Sequence, residues 1–249
     1  MNLADVYSDL DAWQPAYLGS FLNWGYWEGI APPYTASDRI AASAALYKLV
    51  ASAVSLGPSD VALEVGSGTG VGACLLASGG ASVHGIDVVE SQVAHAREAG
   101  SGVTFSCAPA SAIPYPDSHF SVVYSVEALQ HFPSAGDFVR EAARVLRPGG
   151  RFGVTTFFPA ASASVDALGE LLQSYRSGFD VVITVSDLCS ALESSGFVDV
   201  SAVSIGEHVW RQLDDWIVAN GYKDHWGRNF LRAYEAGLLD YHLVTAVRG

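Results

Sequence analysis

The chain has 249 residues, half of them hydrophobic and 16% charged, enough apolar surface for one large core, which excludes an intrinsically disordered chain. Thirteen basic residues against 26 acidic ones give a formal charge of −13, a field that repels phosphate backbones and excludes nucleic acid as the expected partner. Cys74, Cys107 and Cys189 form no CxxC or Cys/His cluster, so neither a disulfide framework nor a metal site is expected; with no basic leader and no apolar run of about 18 residues, a cytoplasmic protein without membrane insertion is expected.

From Ala36 to Val54, the residues Ile40, Ala44, Leu46, Tyr47, Val50 and Val54 recur at helical spacing, with Ser37-Asp38 as caps and Gly57-Pro58 as the stop. Val61 to Val65 then reads as a buried strand, Val71 to Ala77 as a helix, Ser82 to Ile86 as a strand and Glu90 to Glu98 as a helix. Strands follow at Val103 to Ser106 and Val122 to Val126, a helix at Asp137 to Leu146, a turn at Arg147-Pro148-Gly149-Gly150 and a strand at Arg151 to Phe157. Beyond them Asp187 to Ser194 reads as a helix, Val198 to Ile205 as a strand, Trp210 to Tyr234 as aromatic helical material, and Tyr241 to Arg248 as a last strand pairing antiparallel. Strands alternating with helices predict an α/β fold: a Rossmann-like, doubly wound seven-stranded sheet with the last strand antiparallel, helices on both faces, and helical lid and insertions. The expected organisation is a single domain over 1–249, with an N-terminal helical lid at 1–56, a cofactor-binding core at 57–157 and a substrate-side half at 158–249 that carries the insertion 207–236.

Gly66, Gly68 and Gly70 follow a strand and precede a helix, where glycine lets the backbone turn sharply and approach a ligand at the carboxyl edge of the sheet. A nucleoside-containing ligand is expected there. Glu64, inside the apolar strand, needs a partner such as the amides of the turn and would brace the loop. Asp87 closes the second strand, next to Val88, where its carboxylate can accept both hydroxyls of a ribose. A dinucleotide would use the same logic. The frame starting at Gly66 places Val71 where that fingerprint needs a small residue, however, and the frame starting at Gly68 is displaced by two from the strand end.

With these features the sequence resembles the class I S-adenosylmethionine-dependent methyltransferases of the small-molecule branch. Glu64, Gly66, Gly68 and Gly70 match the family's acidic-glycine loop; Ala108 to Ser121 resembles its GDAxxLPFPDxSFD stretch; Ser125, Glu127, Leu129 and His131 match SxExLxH; and Arg144 to Gly150 matches RVLRPGG. The resemblance implies S-adenosyl-L-methionine as cofactor, Asp87 on its ribose, and Ser125 beside its methionine part. Pro109 stands where the family often has an aspartate for the adenine amino group, which leaves the backbone of Ala110 to meet the ring. Asn23-Trp24-Gly25-Tyr26-Trp27 resembles the N-x-G-Y-W segment that covers the cofactor, so Tyr26 and Tyr17 are candidates to reach cofactor or substrate.

Methyl transfer to a hydroxyl or an acidic carbon releases a proton, and a histidine is the natural acceptor. His131, a few residues past the fourth strand, is the candidate base, with a loop histidine capping the next helix or packing on Phe132 as the alternative; Glu127 is the second candidate, as base or as ligand of the cofactor's amino group, or else as a solvated or helix-capping carboxylate. Phe157, Phe158, Tyr175, Phe179 and the aromatics of 210–234 are expected either to line an apolar substrate cavity or to form core. The expected activity is methyl transfer to a small, largely hydrophobic metabolite at O, C or N, as in secondary metabolism. The alternative is a cyclisation or rearrangement in the same fold without net methyl transfer. The expected partner is a small-molecule substrate, and a homo-oligomer stays open.

Overall fold

The computed structural model of the chain describes residue 19, residues 21–98 and residues 102–249. Helix α1 (Ala36–Ala53) has its N-cap two residues before Ser37, and Asp38 takes part as expected: Thr35 accepts from the Asp38 amide while Asp38 accepts from the Thr35 amide, a reciprocal capping box. There follow β1 (Val61–Val65), α2 (Val71–Ala77), β2 (Ser82–Asp87), α3 (Glu90–Glu98), β3 (Thr104–Cys107), β4 (Phe120–Val126), a single 3₁₀ turn (Leu129–His131), α4 (Ala135–Val145) and β5 (Leu146–Pro159). The second half holds α5 (Val165–Leu171), α6 (Gln173–Arg176), α7 (Val185–Ser194), β6 (Phe197–Ser204), α8 (Trp210–Ala219), α9 (Arg228–Glu235) and β7 (Leu239–Arg248).

The seven strands lie in the order β3-β2-β1-β4-β5-β7-β6. The first five pair parallel, and β7 runs antiparallel between β5 and β6, as expected. Alternate strand residues feed two cores. On one face Ala62, Val122, Tyr124 and Val126 pack with Leu46, Tyr47 and Val50 of α1, with α2 and with the aromatics of α8 and α9. On the other, Leu63, Val65, Val123 and Val154 pack with Phe138 and Val139 of α4 and Leu188 and Leu192 of α7. The sheet reversal falls between β1 and β4, so the loops after their carboxyl ends open into one crevice, where a ligand binds in doubly wound sheets.

One expectation about the elements is corrected. Arg147-Pro148-Gly149-Gly150, read as a closing turn, is the irregular first part of β5: Phe120 pairs with Leu146 and Val122 with Arg151, so the register shifts across it. Helices α5 and α6 lie in a stretch to which the sequence assigns no element. The insertion is helical, and of the two expectations for its aromatics Trp210, Trp216 and Phe230 take the core, with Trp210 stacked on Phe230 and edge-on to Tyr241.

Candidate active site

The turn between β1 and α2 has Gly66, Gly68 and Gly70 all at positive φ, the left-handed region that glycine enters without strain. At Gly66 a Cβ would fall inside the van der Waals radius of Ala128 Cβ, so the loop after β4 closes directly on the glycine turn. The amides of Gly66 and Ser67 donate to the Ile86 carbonyl at 2.8 and 3.0 Å, and that of Gly68 donates to Asp87 Oδ2 at 2.8 Å. Asp87 Oδ1 accepts from the Val89 amide at 2.9 Å. Burial pushes the Asp87 carboxyl upward against these donors.

A cavity of about 220 Å³ opens over this turn. Of the residues singled out in the sequence, Gly66, Gly68, Asp87, Val88, Ala110, Glu127 and His131 line it. Gly70, Glu64, Ser125 and Tyr26 do not. Gly70 caps α2, where a Cβ would meet Phe105 at 2.6 Å. Glu64 is fully buried, and its oxygens accept from the hydroxyls of Tyr47 (2.9 Å) and Tyr124 (3.4 Å), with the Ala73 amide of α2 also donating, rather than from the glycine-turn amides. It therefore ties α1, α2 and β4 together beneath the loop. Burial raises its carboxyl to about 8. Ser125 is enclosed within β4, and its hydroxyl has no hydrogen-bond partner among the described residues. Tyr26 donates to Glu28 at 2.6 Å and sets its ring edge-on to His208, away from the cavity. Tyr17 lies outside the described residues.

Glu127 follows β4 with φ +48, a strained backbone for a residue with a side chain. Its Oε1 accepts from the Trp24 amide at 2.6 Å and the Tyr241 hydroxyl at 2.7 Å, and burial pushes its carboxyl up to about 8 against those donors. Glu127 thus fastens the Trp24 segment to the sheet at the cavity wall. His131 ends the 3₁₀ turn with Nδ1 at 3.3 Å from the Phe179 carbonyl and 3.1 Å from Asp180 Oδ1, its ring packed on that of Phe179 rather than simply capping α4.

Four residues escaped the sequence. Asp180, 4% exposed, stands behind His131, and no periodicity marks an aspartate in the loop after α6. Gln130, next to His131, is 4% exposed and hydrogen-bonded on both amide atoms. Ser67, whose hydroxyl has no partner among the described residues, and the buried Gln92 also line the cavity. Phe157, Phe158 and Tyr175 are buried in the cores or among neighbours and do not line it.

A doubly wound sheet, a glycine turn in contact with the β4 loop, a carboxylate at the end of β2 and a partnerless hydroxyl facing the cavity fit a nucleoside cofactor at the sheet's switch point. Residues 63–154 match the methyltransferase domain family. The chain is 30% identical over 198 residues to the 27-O-demethylrifamycin SV methyltransferase of Amycolatopsis mediterranei, covering 76% of this chain and 71% of that one. It is 33% identical over 214 residues to a fatty-acid O-methyltransferase of Mycolicibacterium smegmatis, covering 81% and 74%. The chain belongs to the S-adenosylmethionine-dependent methyltransferases of the class I, small-molecule kind, and S-adenosyl-L-methionine is its cofactor. The crystal structure of the cyclase SpnF superposes with a TM-score of 0.75 over 98% of this chain and 95% of that one at 24% identity, a likeness of fold alone. No helix among the described residues is long and apolar enough to cross a membrane.

Proposed function

We propose that the chain methylates a hydroxyl oxygen of a small, uncharged, largely hydrophobic acceptor, with His131 as the general base. The observation that carries this reading is the pairing of His131 with the buried Asp180 at the wall of the cofactor cavity. The Phe179 carbonyl faces Nδ1 with the Asp180 carboxylate 3.1 Å from the same atom, so Nε2 is the nitrogen that takes the hydroxyl proton, and the carboxylate then stabilises the imidazolium that results. When bound, the cofactor supplies a methyl group on a sulfonium. The chain supplies position: Asp87 for the ribose hydroxyls, Val88 and Ala110 against the adenine, and Gly66, Ser67 and Gly68 along the rest of the cofactor. Phe21, Leu22, Val126, Phe132 and Pro133 line the same cavity and exclude water from an apolar acceptor.

Charge supports an uncharged acceptor. Among the described residues no Lys or Arg lines the cavity, and residues 1–18, 20 and 99–101 contain none. A carboxylate acceptor would share the cavity with the carboxyls of Glu127 and Asp137 without a cation to neutralise it. The O-methyltransferase relative supports oxygen as the acceptor atom. The test is a screen of neutral aromatic and aliphatic alcohols alongside long-chain fatty acids, read by release of S-adenosylhomocysteine. A neutral alcohol is expected to turn over, and His131→Asn is expected to lower kcat by about a hundredfold or more with the Kd for S-adenosylhomocysteine unchanged. Turnover within a few fold of the parent would remove His131 as base. Preference for the fatty acids would overturn the uncharged acceptor, and conversion without S-adenosylhomocysteine release would favour a cyclisation or rearrangement.

A further inference from the structure

His131 can act as described only if its proton sits on Nδ1 and its lone pair on Nε2, and most of the polar groups that decide this belong to residues outside the reacting centre. Gln130 is the buried hub. Its Nε2 donates to the Glu127 carbonyl at 2.8 Å, its Oε1 accepts from the Thr156 hydroxyl at 2.6 Å, and its Nε2 also lies 3.3 Å from His131 Nε2. A backbone carbonyl cannot donate, so the Gln130 atom facing Glu127 is the nitrogen, and this bond together with the one from Thr156 favours the unflipped amide. The second N–H of that nitrogen is then the one directed at His131, and the imidazole atom it faces must accept. At the other side of the ring the Phe179 carbonyl, again acceptor only, faces Nδ1. Both ends give the same assignment.

We infer that Gln130, oriented by Thr156, is a positioning residue that sets His131 in the neutral Nδ1–H tautomer and presents Nε2 as a proton acceptor. The 3.3 Å contact is long for a hydrogen bond, so an acceptor hydroxyl displaces it at small cost, whereas the bonds to Glu127 and Thr156 are of ordinary length and persist. Thr156 is fully buried in β5, and its hydroxyl is the sole donor shown for Gln130 Oε1 among the described residues. Without that hydroxyl, the amide loses the bond that favours its orientation, and a flipped carbonyl facing Nε2 would draw the proton there and leave the ring without an acceptor. Among the described residues, the charged and titratable groups around the ring include Asp180 at Nδ1, Glu127 at the start of the turn, Asp137 on the same cavity wall, Asp87 at the end of β2, and Tyr175, which faces Asp180. Asp180 favours a proton on Nδ1 and so reinforces the Gln130 assignment.

The catalytic consequence rests on the reading of His131 as base, but the tautomer does not, and the experiment separates them. Histidine-selective ¹⁵N labelling of the full chain, with long-range ¹H–¹⁵N correlation above the pH at which His131 charges, reports the tautomer directly without acceptor. An Nδ1–H tautomer is expected in the parent protein, and in Thr156→Val the ratio of the two tautomers is expected to fall by about fivefold, the equivalent of one hydrogen bond of ordinary net strength. Thr156→Ser, which keeps the hydroxyl, is expected to restore the parent spectrum. An Nε2–H tautomer in the parent, or an unaltered ratio in a folded Thr156→Val, would overturn the assignment. Should Thr156→Val fail to fold, the parent spectrum and Gln130→Glu decide: the introduced carboxylate is expected to hold a proton on Nε2, and a spectrum like the parent's overturns the proposal. With an acceptor in hand, Thr156→Val is also expected to lower kcat by about the same factor as the tautomer ratio; a shifted tautomer with unchanged kcat supports the assignment and removes His131 as base.

Discussion

Glu127 carries both a strained backbone and a buried carboxyl, and its side-chain partners show what that combination does. A base would keep its oxygens toward the acceptor, yet Oε1 takes the Trp24 amide and the Tyr241 hydroxyl, joining the segment that precedes α1 to the last strand. Glutamine can accept both bonds through its carbonyl. Glu127→Gln is therefore expected to unfold within about 1 kcal/mol of the parent and to keep most of its turnover. Glu127→Ala strands two buried donors and is expected to cost about 2–4 kcal/mol in a urea titration. Loss of turnover in a stable Glu127→Gln would return the carboxylate to the chemistry. At this scale the placement of Asp87 and His131 at the cavity was legible because they stand at fixed offsets from a strand end. Asp180 and Gln130 were not. Their roles depend on a loop folding back from beyond α6 and on which way an amide points, and neither leaves a spacing in the chain.

The glycine turn is an element whose shape is dictated by what approaches it. Gly66 and Gly149 both have left-handed backbones, φ +80 and +74, but a Cβ at Gly66 would collide with Ala128 while one at Gly149 would meet nothing within 4 Å. The pair separates conformational strain from close approach. Gly149→Ala is expected to cost about 1 kcal/mol, the usual left-handed penalty, whereas Gly66→Ala adds a clash between the two loops that form the cavity floor and is expected to cost about 3 kcal/mol or more. Urea titration measures both, and calorimetry with S-adenosylhomocysteine should show weakened binding for Gly66→Ala alone. Equal costs would mean that the β4 loop yields freely. Most strands and the helices of the first half could be read directly, since each is a buried run or a 3.6-residue pattern bounded by Gly or Pro. Helices α5 and α6 could not: at seven and four residues they have too few turns to establish a period, and unlike α2, which is as short, neither follows a strand and glycine turn that marks its start. The aromatics of α8 and α9 were legible as helix and ambiguous as lining, because apolar surface facing a ligand and apolar surface facing core have the same composition.

Over the whole molecule, two buried carboxyls give folding a pH dependence that runs against the usual acid denaturation. Burial raises Glu64 and Glu127 from the ordinary 4.5 to about 8. Between those values the folded chain holds protons that the unfolded chain has released, so this contribution is full below about pH 4.5 and declines until about pH 8. Asp38, Asp60, Glu141 and Asp187, held low by their partners, act oppositely: their stabilisation is present above the unfolded value and is lost as pH falls through the folded one. His84 and His225, lowered by burial, favour the folded state as pH rises toward their ordinary 6.5. The balance places maximum stability on the acid side of neutrality. The thermal midpoint is expected to fall by about 5–10 °C between pH 6 and pH 8.5, a few kcal/mol in total at the entropy of a domain this size, and Glu64→Gln is expected to flatten the curve. A midpoint constant over that range would mean that both carboxyls are hydrated enough to ionise at little cost.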